Sequence, residues 1–99
     1  MSTTSTTEEW KEIGRTRDTI QYVSTLGRCK TVWPETGGIR INYGYLNRYL
    51  GYRSFAHDYV HRHVARAFLP CEDTSLQVDH INGNREDNRL ENLRWVTRK

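Results

Sequence analysis

Short runs of alternating apolar and polar residues fill most of the front of the chain. Alternation with a period of two, rich in β-branched and aromatic residues, is typical of strands. Gly27, Pro34 and the pair Gly37 and Gly38 separate these runs where turns are expected. The front of the chain is therefore predicted to be an antiparallel meander of short strands. The predicted strands cover residues 8–13, 20–24, 29–33, 39–43 and 52–59, whereas residues 45–50 fit either a strand or one helical turn.

The apolar spacing becomes helical over one segment, from Val60 to Phe68, and Pro70 ends it. The apolar stripe of this predicted helix comprises Val60, Val64, Ala67 and Phe68, while Arg62, His63 and Arg66 are expected to face away from it. Alternation returns in residues 76–80 and 93–96, which predicts two strands around a polar loop. The predicted fold class is therefore α+β, with a small antiparallel meander, one helix and a hairpin.

The net charge of +3 is unevenly distributed. Residues 10–70 carry ten Lys or Arg against four Asp or Glu, whereas residues 71–99 carry five against six. A basic segment with interleaved aromatic residues favours a nucleic-acid partner over an ordinary solvated surface, and the acidic groups further on suit a bound cation. The two arginines on the exposed face of the predicted helix suit phosphate contact, although a solvated helix face explains them equally well. The candidate nucleic-acid contacts are Lys11, Arg28, Lys30, Arg40, Arg62, Arg66, Arg89 and Arg94.

Several other kinds of protein are disfavoured. Cys29 and Cys71 lie 42 positions apart, so the close cysteine pairs of a structural zinc site are absent, and two free thiols are favoured over a disulfide. A metal site of His57, His61 and His63 is also disfavoured, because His57 precedes the predicted helix. With no apolar run of membrane length and no secretory signal, we expect no membrane partner and an intracellular, not secreted, protein, in phage-infected cytoplasm, an organelle or a nucleus.

The most informative run is V-D-H-I-N-G-N-R-E-D-N-R-L-E-N-L-R-W, residues 78–95. Asp79 and His80 end one predicted strand, and Asn92 opens the next. An imidazole can take a proton from water near neutral pH, and a carboxylate is a ligand that Mg²⁺ prefers. The amide across the loop is expected to hold these groups in place. This set of side chains is what a metal-dependent nuclease needs.

Residues 78–97 resemble the HNH homing endonucleases of phages and group I introns. Residues 60–70 resemble the helix that leads into that motif, and residues 9–28 are similar to NUMOD4, a small DNA-binding module that commonly precedes it. The resemblance divides the chain into a disordered tail (residues 1–8), a NUMOD4-like DNA-binding module (residues 9–59) and an HNH motif (residues 60–99).

The resemblance also implies a ββα-metal fold around one divalent cation, Mg²⁺ or Mn²⁺. Asp79 would then bind the metal, His80 would be the general base, and Asn92 would hold the loop and the His80 ring. The implied function is hydrolysis of phosphodiester bonds in double-stranded DNA, by nicking. The alternative is a non-catalytic nucleic-acid-binding module, or a structural subunit of a larger nucleoprotein assembly, including an RNA-rich one.

The sequence departs from the family pattern after the second strand. There the family has a helix with a second metal ligand, a His or Asn, whereas this sequence reaches Lys99 without one. We therefore expect the last helix of the motif to be missing or truncated, either in a fragment of a longer enzyme or in a protein that has lost catalysis. Because one carboxylate is a poor Mg²⁺ site, we expect weak or absent cleavage by these 99 residues. Asn82 also stands where the family often has Asp.

Overall fold

The first sheet contains four antiparallel strands in sequential order. In the computed structural model, which describes residues 7–98, they are β1 (Trp10–Arg15), β2 (Ile20–Ser24), β3 (Cys29–Trp33) and β4 (Gly38–Asn42). Four predicted strands are thus confirmed, with ends that differ by at most two residues. Of the predicted disordered tail, residues 1–6 lie outside the described residues.

Part of one face of this sheet, where β2 meets β3, is buried. Val23 and Cys29 pair across β2 and β3, and both side chains are excluded from solvent. Burial raises the pKa of the Cys29 thiol to about 12, so it stays protonated, and both cysteines are free. The turn that joins the two strands contains Gly27 at φ +79°, a left-handed conformation that favours glycine.

The second sheet corrects one prediction. Its three strands are β5 (Tyr45–Leu46), β6 (Arg53–Phe55) and β7 (Asp58–Tyr59). The single strand predicted over residues 52–59 is wrong, because Ala56 and His57 form a tight turn with φ of +49° and +68°. The ambiguous residues 45–50 begin as a strand and end in a turn, where the Asn47 side chain accepts hydrogen bonds from the backbone of Tyr49 and Leu50.

The predicted helix is confirmed as α1 (Val60–Phe68). Its stripe packs on the first sheet, and the core cluster consists of Val23, Cys29, Val60, Val64 and Leu93. One orientation was predicted wrongly: His63 is buried, and its Nε2 atom lies 2.7 Å from the Phe55 carbonyl oxygen. The β6–β7 hairpin folds back beside the helix and brings the Phe55 carbonyl oxygen to the His63 ring. Without the hairpin, this ring would face solvent.

The predicted C-terminal hairpin is also confirmed, as β8 (Leu76–His80) and β9 (Leu93–Thr97). Asn92 does not open the second strand but ends a single 3-10 turn, Leu90–Asn92. The Trp95 indole donates to the Leu69 carbonyl oxygen at 2.6 Å and so attaches the hairpin to the end of α1. No helix in the described part of the chain has the length and apolar character needed to span a membrane.

Candidate functional site

A cleft of about 480 Å³ opens beside the start of α1 and strand β8. Its chemistry is mixed, because it combines two imidazoles and one carboxylate with four guanidinium groups and tyrosine rings. The polar and aromatic side chains at its wall include Tyr52, Tyr59, His61, Arg62, Arg66, Asp79, His80, Arg85 and Arg98. A cleft of this composition suits a phosphate group better than an apolar ligand.

His80 lies at the end of β8 with its side chain in the wall of the cleft. It is 7% exposed, and its Nε2 atom lies 2.7 Å from Oδ1 of Asn88. The ring also packs near Tyr52, at 6.2 Å between centroids, and near His61, at 4.8 Å. These contacts hold the imidazole in one orientation.

Asp79, the neighbour of His80, pairs across the hairpin with Arg94. The Arg94 guanidinium donates to Oδ2 of Asp79 from Nε at 3.0 Å, with Nη2 also at 3.0 Å. Both side chains remain substantially exposed. One carboxylate oxygen is thus engaged by an arginine, while Oδ1 makes no hydrogen bond to the described residues.

Asn92 ties the polar loop together. Its amide nitrogen donates to Oδ1 of Asn82 at 3.0 Å and to the Asp87 carbonyl oxygen at 2.9 Å, and its Oδ1 accepts from the Asn82 backbone at 3.0 Å. The expected hold on the loop is therefore present. The expected contact with the His80 ring is not, because Asn88 from the same loop occupies that place.

The loop is further stiffened by ion pairs around Arg89. Its guanidinium donates to both carboxylate oxygens of Asp87 at 2.8 Å and to Glu91 at 2.7 Å. The hydrogen bonds that Asp87 accepts, chiefly those from the Arg89 side chain, lower the pKa of Asp87 to about 2. The Asp87 carboxylate therefore stays charged at any ordinary pH, and the loop conformation does not depend on its titration.

His61 is a second buried imidazole beside His80. It is 5% exposed, and its ring stacks on Tyr52 at 5.0 Å and on Tyr59 at 5.6 Å. Its Nδ1 atom is buried without a hydrogen-bond partner among the described residues. Burial, reinforced by the electrostatic influence of the neighbouring His80 and Arg62 side chains, lowers the pKa of His61 to about 4. It is therefore neutral near pH 7 and packs as an aromatic ring.

Comparison with known families gives a match for this part of the chain. Residues 58–99 match the family model described as HNH endonuclease. This segment is similar to HNH endonuclease domains. The match covers the helix, the hairpin and the loop that carry Asp79, His80 and Asn92.

Two relatives extend the likeness. The chain is 36% identical over 95 residues to an uncharacterized HNH endonuclease of Acanthamoeba polyphaga mimivirus, a match that covers 91% of this chain and 24% of the relative. It is 50% identical over 40 residues to the DNA endonuclease I-HmuI of Bacillus phage SP01, covering 40% of this chain and 23% of that protein. Both matches span about a quarter of the relative's length. No solved structure is significantly similar to the chain.

The cleft of the HNH-like segment has a single carboxylate that could meet a cation. Among residues 7–98, no group of three or more His, Cys, Asp or Glu side chains is placed to hold a metal ion, and Asp79 is the one acidic residue at the wall of the cleft. Mg²⁺ commonly binds through one or two carboxylates, substrate phosphates and retained waters. The Asp79 carboxylate is therefore of the chemical type that can serve as one protein ligand of such an ion.

The arginines of the HNH-like segment fall into two groups. Arg62 and Arg66, which were predicted to contact nucleic acid, lie at the cleft, and both pair with Asp58, at 3.6 Å and 2.8 Å. Burial alone would raise the pKa of Asp58, but hydrogen bonds from Arg66 and the Tyr59 backbone outweigh it and lower the pKa. Arg89 and Arg94 are instead engaged by acids of the loop and hairpin. Sequence reasoning missed Arg85 and Arg98 at the cleft, although their charge was visible.

The four front-segment residues that were predicted to contact nucleic acid do not lie on one face of the first sheet. Lys11 points to α1, where its ammonium donates to the Ala67 carbonyl oxygen at 2.8 Å and lies over the Phe68 ring. Arg28 pairs with Glu8, and its Nε donates at 2.8 Å. Lys30 lies over Trp10, and Arg40 over Trp33. Lys11 thus joins the sheet to the helix, while its role in nucleic-acid binding, like that of the other three, stays a prediction.

Proposed function

We propose that this chain acts in a nuclease that hydrolyses phosphodiester bonds of double-stranded DNA and nicks one strand at a time. The observation that carries the proposal is the placement of His80, which is held at the wall of an arginine-lined cleft with Asp79 beside it. This arrangement puts a proton acceptor, a ligand for a cation and several phosphate-binding groups within one site.

In this mechanism His80 is the general base. Nε2 is engaged by Asn88, so Nδ1 is the ring nitrogen that receives a proton from the attacking water. Arg62, Arg66 and Arg85 bind the non-bridging oxygens of the scissile phosphate and offset the charge that develops on them. Asp79 would hold Mg²⁺ or Mn²⁺, which when bound would supply further neutralisation of the charge that develops in the reaction. Asn92 keeps the loop closed around these groups.

Duplex DNA as the substrate is supported by the name of the phage relative, a DNA endonuclease, and by the basic front segment. Arg28 in the turn before β3, Lys30 in β3 and Arg40 in β4 are proposed to contact phosphates away from the cleft and so to position the duplex. Residues 9–59 would then serve as the DNA-binding module that the NUMOD4 resemblance implies.

The test is nicking of supercoiled plasmid by the purified chain with Mg²⁺ or Mn²⁺, compared with His80→Ala. Removing the general base should lower the nicking rate by about 10²- to 10⁴-fold. His57→Asn is the matched control, because His57 is exposed, does not line the cleft and has a positive φ that asparagine tolerates. Equal nicking by wild type and His80→Ala would refute the proposal.

A non-catalytic nucleic-acid binder is the second candidate, and the ion pair between Asp79 and Arg94 favours it. This pair places a cation on the carboxylate that would hold the metal. A binder, whether for DNA or for an RNA-rich assembly, would show salt-sensitive binding, no cleavage and no response to His80→Ala. Metal-dependent nicking that His80→Ala abolishes would eliminate this candidate.

A further inference from the structure

Asn88 makes a hydrogen bond that its position in a polar loop does not require. It is 3% exposed, and its Oδ1 lies 2.7 Å from Nε2 of His80, which is 7% exposed. The bond is therefore shielded from water, and a shielded hydrogen bond is electrostatically stronger than one in solvent. The other loop asparagines, Asn82, Asn84 and Asn92, instead bond within the loop.

Packing does not explain why an asparagine occupies this position. The Nδ2 atom of Asn88 is buried without a partner among the described residues. A buried, unpaired amide group costs on the order of 1–3 kcal/mol, a cost that a leucine, which has the same branched shape, would avoid. The feature that asparagine provides and leucine lacks is the oxygen at the His80 ring.

The direction of this bond determines where the proton of a neutral His80 ring is found. A carbonyl oxygen only accepts, so Nε2 must carry the hydrogen, and the lone pair is left on Nδ1. The Nδ1 atom of His80 makes no hydrogen bond to a described residue, yet it is not among the side-chain atoms that are both buried and unpaired. Nδ1 therefore retains contact with the solvent of the cleft that His80 lines.

The backbone of Asn88 is fixed from the other side by the first sheet. The turn residue Gly27 packs directly on the Asn88 backbone. Two residues further along the loop, the backbone amide of Leu90 donates to the Thr25 carbonyl oxygen at 2.8 Å. Asn92 also binds the Asp87 carbonyl oxygen just before Asn88. The acceptor oxygen is thus held against the ring by contacts on both sides.

We infer that Asn88 is a positioning residue that keeps His80 in the Nε2–H tautomer, with Nδ1 as the free base in the cleft. The inference assigns to Asn88 the hold on the ring that the family resemblance implies for Asn92. It rests on the proposed function only for its catalytic meaning, because the tautomer is a property of the protein without DNA.

The experiment is long-range ¹H–¹⁵N correlation NMR of the four histidine rings in the ¹⁵N-labelled full chain, at about pH 8, where an imidazole of ordinary pKa is neutral. The His80 signals are assigned by their loss in His80→Gln. The wild type is expected to show His80 protonated on Nε2. Protonation on Nδ1, or an even mixture, would overturn the inference, and this spectrum needs no substitution at Asn88.

Variants then separate positioning from loop structure. Asn88→Leu should release the ring into a mixture of tautomers, Asn88→Asp should retain the Nε2–H form because it keeps an acceptor, and the exposed Asn84→Ala should change nothing. Because the His80 ring would lose its orientation, Asn88→Leu should also nick plasmid about 10- to 100-fold more slowly. This loss is smaller than the full contribution of a general base. A leucine variant with the wild-type tautomer would contradict the inference. Nicking by a wild type with the Nδ1–H tautomer would refute it while leaving the nuclease intact.

Discussion

A Cβ atom on Gly27 would lie 2.7 Å from the carbonyl carbon of Asn88. The turn between β2 and β3 therefore packs directly on the loop that holds the His80 ring. A hydrogen bond from the Leu90 amide to the Thr25 carbonyl oxygen, at 2.8 Å, joins the same two segments. The first sheet and the HNH-like segment thus meet at the loop that carries Asn88, so a change in the turn can reach the candidate site.

Gly27→Ala should destabilise the protein and displace Asn88. The left-handed φ of +79° costs an alanine roughly 1–2 kcal/mol, and overpacking against backbone adds about 1–3 kcal/mol. The measurement is urea unfolding, with Gly37→Ala as the control, because Gly37 has the same φ of +79° and a Cβ atom there would meet nothing within 4 Å. Similar losses in the two variants would show that the contact with Asn88 contributes little.

Stability should fall as the pH is lowered from about 6.5 to 4, because the folded protein keeps His61 neutral. The unfolded chain binds a proton near the ordinary pKa of 6.5, whereas the folded chain binds it only at about 4. The unfolded state therefore gains protons first, and the contribution present above pH 6.5 is lost on acidification. From pH 7 to 5 the loss for His61 is about 2 kcal/mol, at 1.36 kcal/mol per pKa unit.

The check is urea unfolding of wild type and His61→Phe at pH values of about 7 and 5. The phenylalanine variant keeps an aromatic ring beside Tyr52 and should lose most of the pH dependence. A smaller part should remain, since burial also lowers the pKa of His63. An unchanged pH dependence in His61→Phe would mean that His61 does not bind its proton differently in the two states.

Much of the fold was predictable because most strands and the helix carry apolar residues at regular spacing. Strands β2, β3 and β8 and helix α1 follow their spacing patterns closely. The turn at Ala56 and His57 was not predictable, because neither residue is typical of a tight turn and both adopt positive φ. Such a turn depends on pairing between β6 and β7, which the local pattern does not encode.

The candidate site was predictable where chemistry and sequence order coincide. Asp79 and His80 are adjacent at a strand end, so the motif alone indicated them. Asn88 was not distinguishable, because the loop also contains Asn82, Asn84 and Asn92, and local sequence does not say which amide meets the ring. That choice is made by long-range packing against the first sheet.

Arg94→Gln should increase affinity for Mn²⁺ by freeing the Asp79 carboxylate. The ion pair is largely exposed, and exposed pairs contribute about 0.2–1 kcal/mol, so an increase of about 1.4- to 5-fold is expected. Free Mn²⁺ can be followed by electron paramagnetic resonance during titration. Arg98→Gln is the control, because Arg98 lines the same cleft without an ion pair to Asp79. Equal gains in both variants would indicate a general charge effect rather than release of this carboxylate.

The double variant Arg62→Gln and Arg66→Gln should bind duplex DNA more weakly and with less dependence on salt. Each phosphate contact releases condensed counterions, so losing two should reduce the slope of log affinity against log salt by about 2. Arg15→Gln is the matched control, since Arg15 pairs with Glu12 and lies away from the cleft. Fluorescence anisotropy over a range of salt concentrations gives the slopes. A double variant with the slope of Arg15→Gln would place the bound DNA elsewhere than at this cleft, because the guanidinium groups on α1 would then make no phosphate contact.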